Sequence, residues 1–103
     1  MNFKHNWQDS NDTKLNIELD GKLLFGQFQD LQSFVFSLKE KPPTHITFDL
    51  TNVELIDSSG LGLLIVANDI TGSHGQVTLK YPSQKVEQLL HVCQIHEMME
   101  IVL

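Results

Sequence analysis

The segment Ile56-Asp57-Ser58-Ser59-Gly60-Leu61-Gly62 decides the fold of this chain, because a strand pattern gives way there to a helix pattern. Apolar residues at 46, 48 and 50 alternate with polar ones before it, and residues 61–67 are almost entirely apolar after it. Asp and Ser accept hydrogen bonds from the free N–H groups of a first helical turn, so the segment predicts a helix start. It also leaves two hydroxyls and a carboxylate at the carboxyl end of a strand, where open α/β sheets usually hold functional groups.

The spacing of apolar residues predicts strands and helices on both sides of this segment. Alternation predicts strands at 3–7, 15–19, 45–50 and 76–81, and helical stripes predict helices at 28–38, from the serines to Gly72, and at 86–93. Asp20-Gly21 is typical of a tight turn with 22–25 continuing extended, 51–57 is expected to be a loop, and 95–103 fits either a short helix or a strand. The first two strands are expected to be antiparallel, and the strand–helix–strand unit ending at 81 predicts parallel strands with a right-handed crossover.

Length and composition indicate one globular domain over residues 1–103. Apolar residues make up 41% of the chain and charged residues 19%. The longest apolar run, 63–67, is far shorter than the roughly 20 residues of a membrane span, and the N-terminus lacks the apolar core of a signal peptide. The lone Cys93 cannot form an intramolecular disulfide, so we expect a reducing, cytoplasmic location.

The charge distribution argues for a protein partner. The net charge is −6, and all seven basic residues are lysines. Arginine is the preferred reader of phosphates and guanine edges, so an acidic chain without it is a poor nucleic-acid binder. Anionic membranes should repel it as well. A protein with a basic patch is the better expected partner.

Motifs for cofactors, metals and catalysis are not recognisable in the sequence. The serine segment lacks the lysine of a P-loop and the glycine that precedes the serine in a nucleophile elbow. His91 and His96 are five residues apart, which does not place them on one helix face with Cys93 as metal ligands. Trp7 and the phenylalanines are expected to pack in the core or at a sheet edge. We therefore expect no enzyme activity, no metal and no cofactor.

The serine segment has two open interpretations. Ser and Asp are common helix caps, so the segment could serve the helix alone. One cap would suffice, however, and the following helix is apolar nearly all round, which suits either full burial or a surface for a partner. Physical reasoning does not choose between Ser58 and Ser59 as a functional residue.

The chain resembles STAS domains of the anti-sigma factor antagonist type. The resemblance rests on Phe48-Asp49-Leu50, Val53 and the segment 56–62, and it extends to Leu15–Leu23, Gln76–Leu79 with Pro82-Ser83, and Cys93–Ile101. The family implies an α/β fold with a four- to five-stranded mixed sheet and three to four helices packed against it.

The resemblance also implies a phosphorylation switch. The serine after the motif aspartate, Ser58 here, would be phosphorylated by a serine kinase of the anti-sigma factor type and dephosphorylated by a PP2C-type phosphatase. The partner-binding residues would be Asp57, Ser59, Gly60, Leu61 and Gly62. A phosphate adds about −1.5 to −2 charges, which a helix N-terminus tolerates but a close interface does not.

One departure and two alternatives accompany the resemblance. Many family members carry an acidic residue in the loop before the first helix, whereas this chain reads Leu24-Phe25-Gly26-Gln27-Phe28. The resemblance therefore does not imply a nucleotide-related role for this loop. STAS domains also serve as accessory subunits of ABC-transporter ATPases, often with the motif serine replaced; the intact serine favours the switch. A small serine hydrolase is a third, weaker interpretation, because no elbow or neighbouring histidine supports it.

Overall fold

The computed structural model describes residues 1–103, which form one five-stranded mixed sheet in the order β1-β2-β3-β4-β5. β1 is antiparallel to β2, and the other neighbours are parallel. The elements are β1 (Asn2–Trp7), β2 (Lys14–Leu23), α1 (Gln29–Ser37), β3 (His45–Ile56), α2 (Ser58–Thr71), β4 (Gln76–Lys80), α3 (Gln84–Val92), a 3₁₀ turn (Ile95–Glu97) and β5 (Glu100–Val102). The α/β fold, the mixed sheet and the antiparallel first pair are as predicted.

The core lies on one face of the sheet. Each parallel crossover steps to the next strand in the same direction, so right-handed connections place all three helices on that face. Leu15, Ile17 and Leu19 of β2 point into the core, and the residues between them point to the open face. No polar side chain is buried. The alternation that predicted the strands therefore separates a covered face from an open one.

Two predicted breaks in the strands are wrong. Asp20-Gly21 does not form a turn, and 51–57 is mostly strand rather than loop, because 20–23 of β2 pair with 52–56 of β3. The pairing register shifts on both sides of the Asp20-Gly21 pair, and Gly21 has φ +116° there. The glycine thus supplies the unusual backbone conformation of an irregular sheet position. Long-range strand pairing has overridden a local turn signal.

The C-terminal segment contains both of the structures that the sequence left open. Ile95–Glu97 form a 3₁₀ turn, and Glu100–Val102 form β5 beside β4. One other expectation fails there: Cys93 follows the last residue of α3 and is exposed, so it does not continue the buried stripe of Val86 and Leu90.

Candidate functional site

The carboxylate of Asp57 organises the junction between β3 and α2. Asp57 is the N-cap residue of α2: its Oδ1 accepts hydrogen bonds from the Gly60 N–H at 3.0 Å and from the Ser59 hydroxyl at 2.6 Å. Its Oδ2 accepts from the backbone N–H of Phe25 at 2.9 Å. The helix start predicted from the sequence is confirmed, and the contact with Phe25 adds a second segment that the sequence did not indicate.

The hydrogen bonds to Asp57 stabilise its ionised form. The Ser59 hydroxyl, followed by the backbone N–H groups of Phe25 and Gly60, lowers the pKa of Asp57 from 3.8 to about 2. The carboxylate is therefore fully charged near neutral pH. A fixed negative charge stands one residue before Ser58.

The two serines have different environments. Ser58, the first residue of α2, is exposed and its side chain makes no hydrogen bond within the chain. Ser59 is half-buried and donates its hydroxyl proton to Asp57. Sequence reasoning could not separate them, because the difference lies in which hydroxyl the cap carboxylate engages.

Gly60 and Gly62 also differ in their surroundings. A Cβ atom on Gly60 would lie 2.4 Å from the Leu23 carbonyl oxygen and 2.8 Å from the Leu23 Cγ, whereas one on Gly62 would have no neighbour within 4 Å. Gly60 thus lets α2 approach the end of β2, and Gly62 leaves open space on the helix surface. Leu61 is buried in the core.

The loop between β2 and α1 lies beside the two serines. The parallel register pairs Leu23 with Ile56, so the segments that follow both strands emerge together. Phe25 is 82% exposed at this loop, and Gly26 follows it with φ +78°. The expectation that the phenylalanines pack in the core or at an edge is wrong for Phe25, and it also fails for Phe36, which is 41% exposed. The signal available was Gly26, because glycine is common in turns that need a positive φ.

An open groove, here called the α1–α2 groove, runs from this loop between the two helices. Ser59, Gly62 and Phe25 bring the serine segment and the loop into one surface. The lining residues are all uncharged: Phe25, Gly26, Phe28, Gln29, Gln32, Phe36, Ser59, Gly62, Leu63 and Val66. In a chain of net charge −6, an uncharged groove of this kind is suited to an apolar protein surface.

Other chemistry-bearing residues lie away from the serine segment. The rings of His91 and His96 lie with centroids 4.5 Å apart and are tilted by 42° to each other. The five-residue spacing predicted that they would not share a helix face, but the turn at Ile95–Glu97 brings the second ring back. No group of three His, Cys, Asp or Glu side chains is arranged to hold a metal ion. None of the helices has the length and apolarity that crossing a bilayer requires.

Comparison with known proteins identifies the family of this chain. The family model described as the STAS domain matches residues 8–103. The chain belongs to the STAS-domain family. It is 28% identical over 89 residues to a STAS-domain containing protein of Pseudomonas aeruginosa, an alignment that covers 85% of this chain and 87% of the relative.

Solved structures of the protein SpoIIAA share the fold. The anti-sigma factor antagonist SpoIIAA in its unphosphorylated form aligns over 97% of this chain and 87% of its own, with TM-score 0.82 and 19% identity. The Bacillus cell fate determinant SpoIIAA in the phosphorylated form aligns over 97% and 90%, with TM-score 0.75 and 18% identity. The fold expected from the resemblance is therefore confirmed.

Proposed function

We propose that this STAS protein is a non-catalytic regulatory binding module of the anti-sigma factor antagonist type, switched by reversible phosphorylation of Ser58. A serine kinase of the anti-sigma factor type is its partner, and a PP2C-type phosphatase reverses the modification. One observation carries the proposal: Ser58 is exposed with an unengaged hydroxyl, while Ser59 is held by Asp57. That SpoIIAA, a structural neighbour, exists in a phosphorylated form also supports it.

The position of Ser58 explains how modification can act without unfolding the chain. The N–H groups and the dipole of the first helical turn favour a negative charge, so α2 tolerates a phosphate there. An interface shaped for a hydroxyl would instead have to desolvate a dianion, which disfavours binding strongly. Phosphorylation is therefore expected to release the partner while the fold persists.

The remaining residues of the segment have two proposed roles: some contact the partner, and others hold the start of α2 in position. Ser59 and Gly62 line the α1–α2 groove, which supports a role for both in contacting the partner. Gly60 and Leu61 are buried and act by fixing the start of α2 against β2, and Asp57 caps the same turn. The proposal takes residues 1–103 as a single regulatory domain working in the cytoplasm, where a kinase has access to ATP.

Mass spectrometry of the protein from its native cells tests this proposal. Intact-mass measurement and site mapping should find a fraction carrying one phosphoryl group on Ser58, and the Ser58→Ala variant should lose it while co-purifying with the kinase. Ser73→Ala, at an exposed serine that follows α2, is the matched control and should still be modified at Ser58. A protein that stays unmodified across growth conditions and co-purifies with a transporter ATPase would contradict the switch and support the accessory-subunit function.

A further inference from the structure

The carboxylate of Asp57 joins two segments that are far apart in the chain. Oδ1 faces the α2 first turn through Ser59 and Gly60, and Oδ2 faces the β2–α1 loop through the Phe25 N–H, 32 residues earlier. Ser58 follows Asp57 directly. A change of charge at Ser58 therefore occurs beside the group that holds the loop.

We propose that Asp57 is a positioning residue that transmits the phosphorylation state of Ser58 to the Phe25 loop, so that the phosphate releases the loop as well as changing the helix start. The inference rests on the proposed function only for the site of modification. It adds a second effect to the switch, a change in the position of an aromatic side chain that lines the α1–α2 groove.

The charges around Asp57 explain the direction of this effect. Phosphoryl transfer from ATP to the Ser58 hydroxyl breaks the bond to the ADP oxygen, forms the Oγ–P bond and releases the hydroxyl proton. The product carries about −1.5 to −2 charges next to a carboxylate that is already ionised. The two anions repel each other, which disfavours the present position of the Asp57 carboxylate.

The carboxylate has fewer attachments on the Phe25 side than on the helix side. On the helix side, Oδ1 has two partners, and the backbone of Asp57 is fixed by its own carbonyl bond to the Leu61 N–H at 3.0 Å. On the loop side, Oδ2 has the Phe25 N–H, and the Phe25 side chain is 82% exposed and adds little packing. Repulsion should therefore break the bond to Phe25 first.

Hydrogen exchange of the Phe25 amide tests the proposal directly. The full chain is prepared with phosphoserine incorporated at position 58 and compared with the unmodified chain by water-exchange NMR. Losing a hydrogen bond to a charged acceptor should speed exchange at Phe25 by about tenfold or more. The Thr13 amide is the internal control, because it is held by the Asp9 carboxylate at 2.9 Å beyond the other end of β2.

The Asp57→Asn variant shows whether the effect passes through the carboxylate. Asparagine keeps one acceptor oxygen for the helix turn but has no charge and no second acceptor for Phe25. We expect fast Phe25 exchange in this variant with or without the phosphate. A response to phosphate as large as in the parent chain would show that the coupling does not use Asp57.

The remaining outcomes are also decisive. Unchanged Phe25 exchange in the phosphorylated parent chain overturns the proposal, whether or not Asp57→Asn folds. Equal acceleration at Phe25 and Thr13 means general unfolding and overturns it too. Because the phosphate is installed in advance, this result is independent of whether cells modify Ser58, which the mass spectrometry above decides.

Discussion

Two aspartates near opposite ends of β2 make similar hydrogen bonds but connect different parts of the chain. Asp9 accepts from the Thr13 hydroxyl and from the N–H groups of Thr13 and Lys14, all within five residues. Asp57 likewise accepts from one hydroxyl and two N–H groups, but one of these belongs to Phe25, 32 residues away. Both carboxyl groups have a lowered pKa for the same physical reason.

The hydrogen bonds of Asp9 stabilise a local turn, whereas those of Asp57 join two distant segments of the chain. The Asp9 carboxylate stabilises the connection between β1 and β2, and its hydrogen-bond partners are limited to Thr13 and Lys14. The Asp57 cluster fixes a helix start, a loop and a groove relative to an exposed serine. The same chemistry becomes a candidate regulatory site when its partners come from different parts of the chain.

The largest effect is expected where α2 approaches β2 at Gly60. Gly60→Ala would force a Cβ into the Leu23 carbonyl oxygen and should destabilise the fold by about 1–3 kcal/mol. Gly62→Ala is the matched control in the same helix; with open space around it, it should be neutral or stabilising by up to about 1 kcal/mol. Urea unfolding of both variants measures this, and equal destabilisation would contradict the close approach at Gly60.

The sequence could predict local contacts of the aspartates but not long-range ones. Asp57 precedes an apolar run and Ser83 precedes an amphipathic stripe. Each caps the helix expected there, because capping depends only on residues three positions apart. The bond from Asp57 to Phe25 depends on the register of Leu23 with Ile56, which no local pattern encodes. The same register explains the missed second half of β3, since pairing with β2 keeps polar residues such as Asn52 in a strand.

Acid should remove the contribution of Asp57 to stability. Its pKa is lower in the folded chain, about 2, than the ordinary value of 3.8, so the contribution is complete above 3.8 and is lost as pH falls toward 2. The stability difference between the parent chain and Asp57→Asn should therefore shrink across this window. Urea unfolding at several pH values measures it, and a difference independent of pH would mean that the charge of Asp57 does not contribute.

A smaller effect is expected on the pKa values alone. Ser59→Ala removes the largest cause of the shift at Asp57 and should raise its pKa toward 3.8, and Thr13→Val should act in the same way on Asp9. Ser58→Ala is the control, because its hydroxyl does not bond to either carboxylate. NMR titration of the side-chain carboxyl carbons measures all three variants. A rise in the Asp57 pKa with Ser58→Ala would reverse the assignment of the two serines.

The smallest effect on stability is expected at Phe25. A substitution there tests whether the loop held by Asp57 contributes to partner binding. Phe25 is 82% exposed, so Phe25→Ser should change the free energy of unfolding by no more than about 0.5 kcal/mol. Binding to the kinase that co-purifies with Ser58→Ala should weaken by about tenfold or more, because exposed aromatic side chains are frequent anchors of interfaces. Val92→Ser, at 80% exposure on α3 and outside the α1–α2 groove, should leave both quantities unchanged. Calorimetric titration of the three proteins decides whether the partner uses this face: equal affinities would mean that the loop held by Asp57 lies outside the interface.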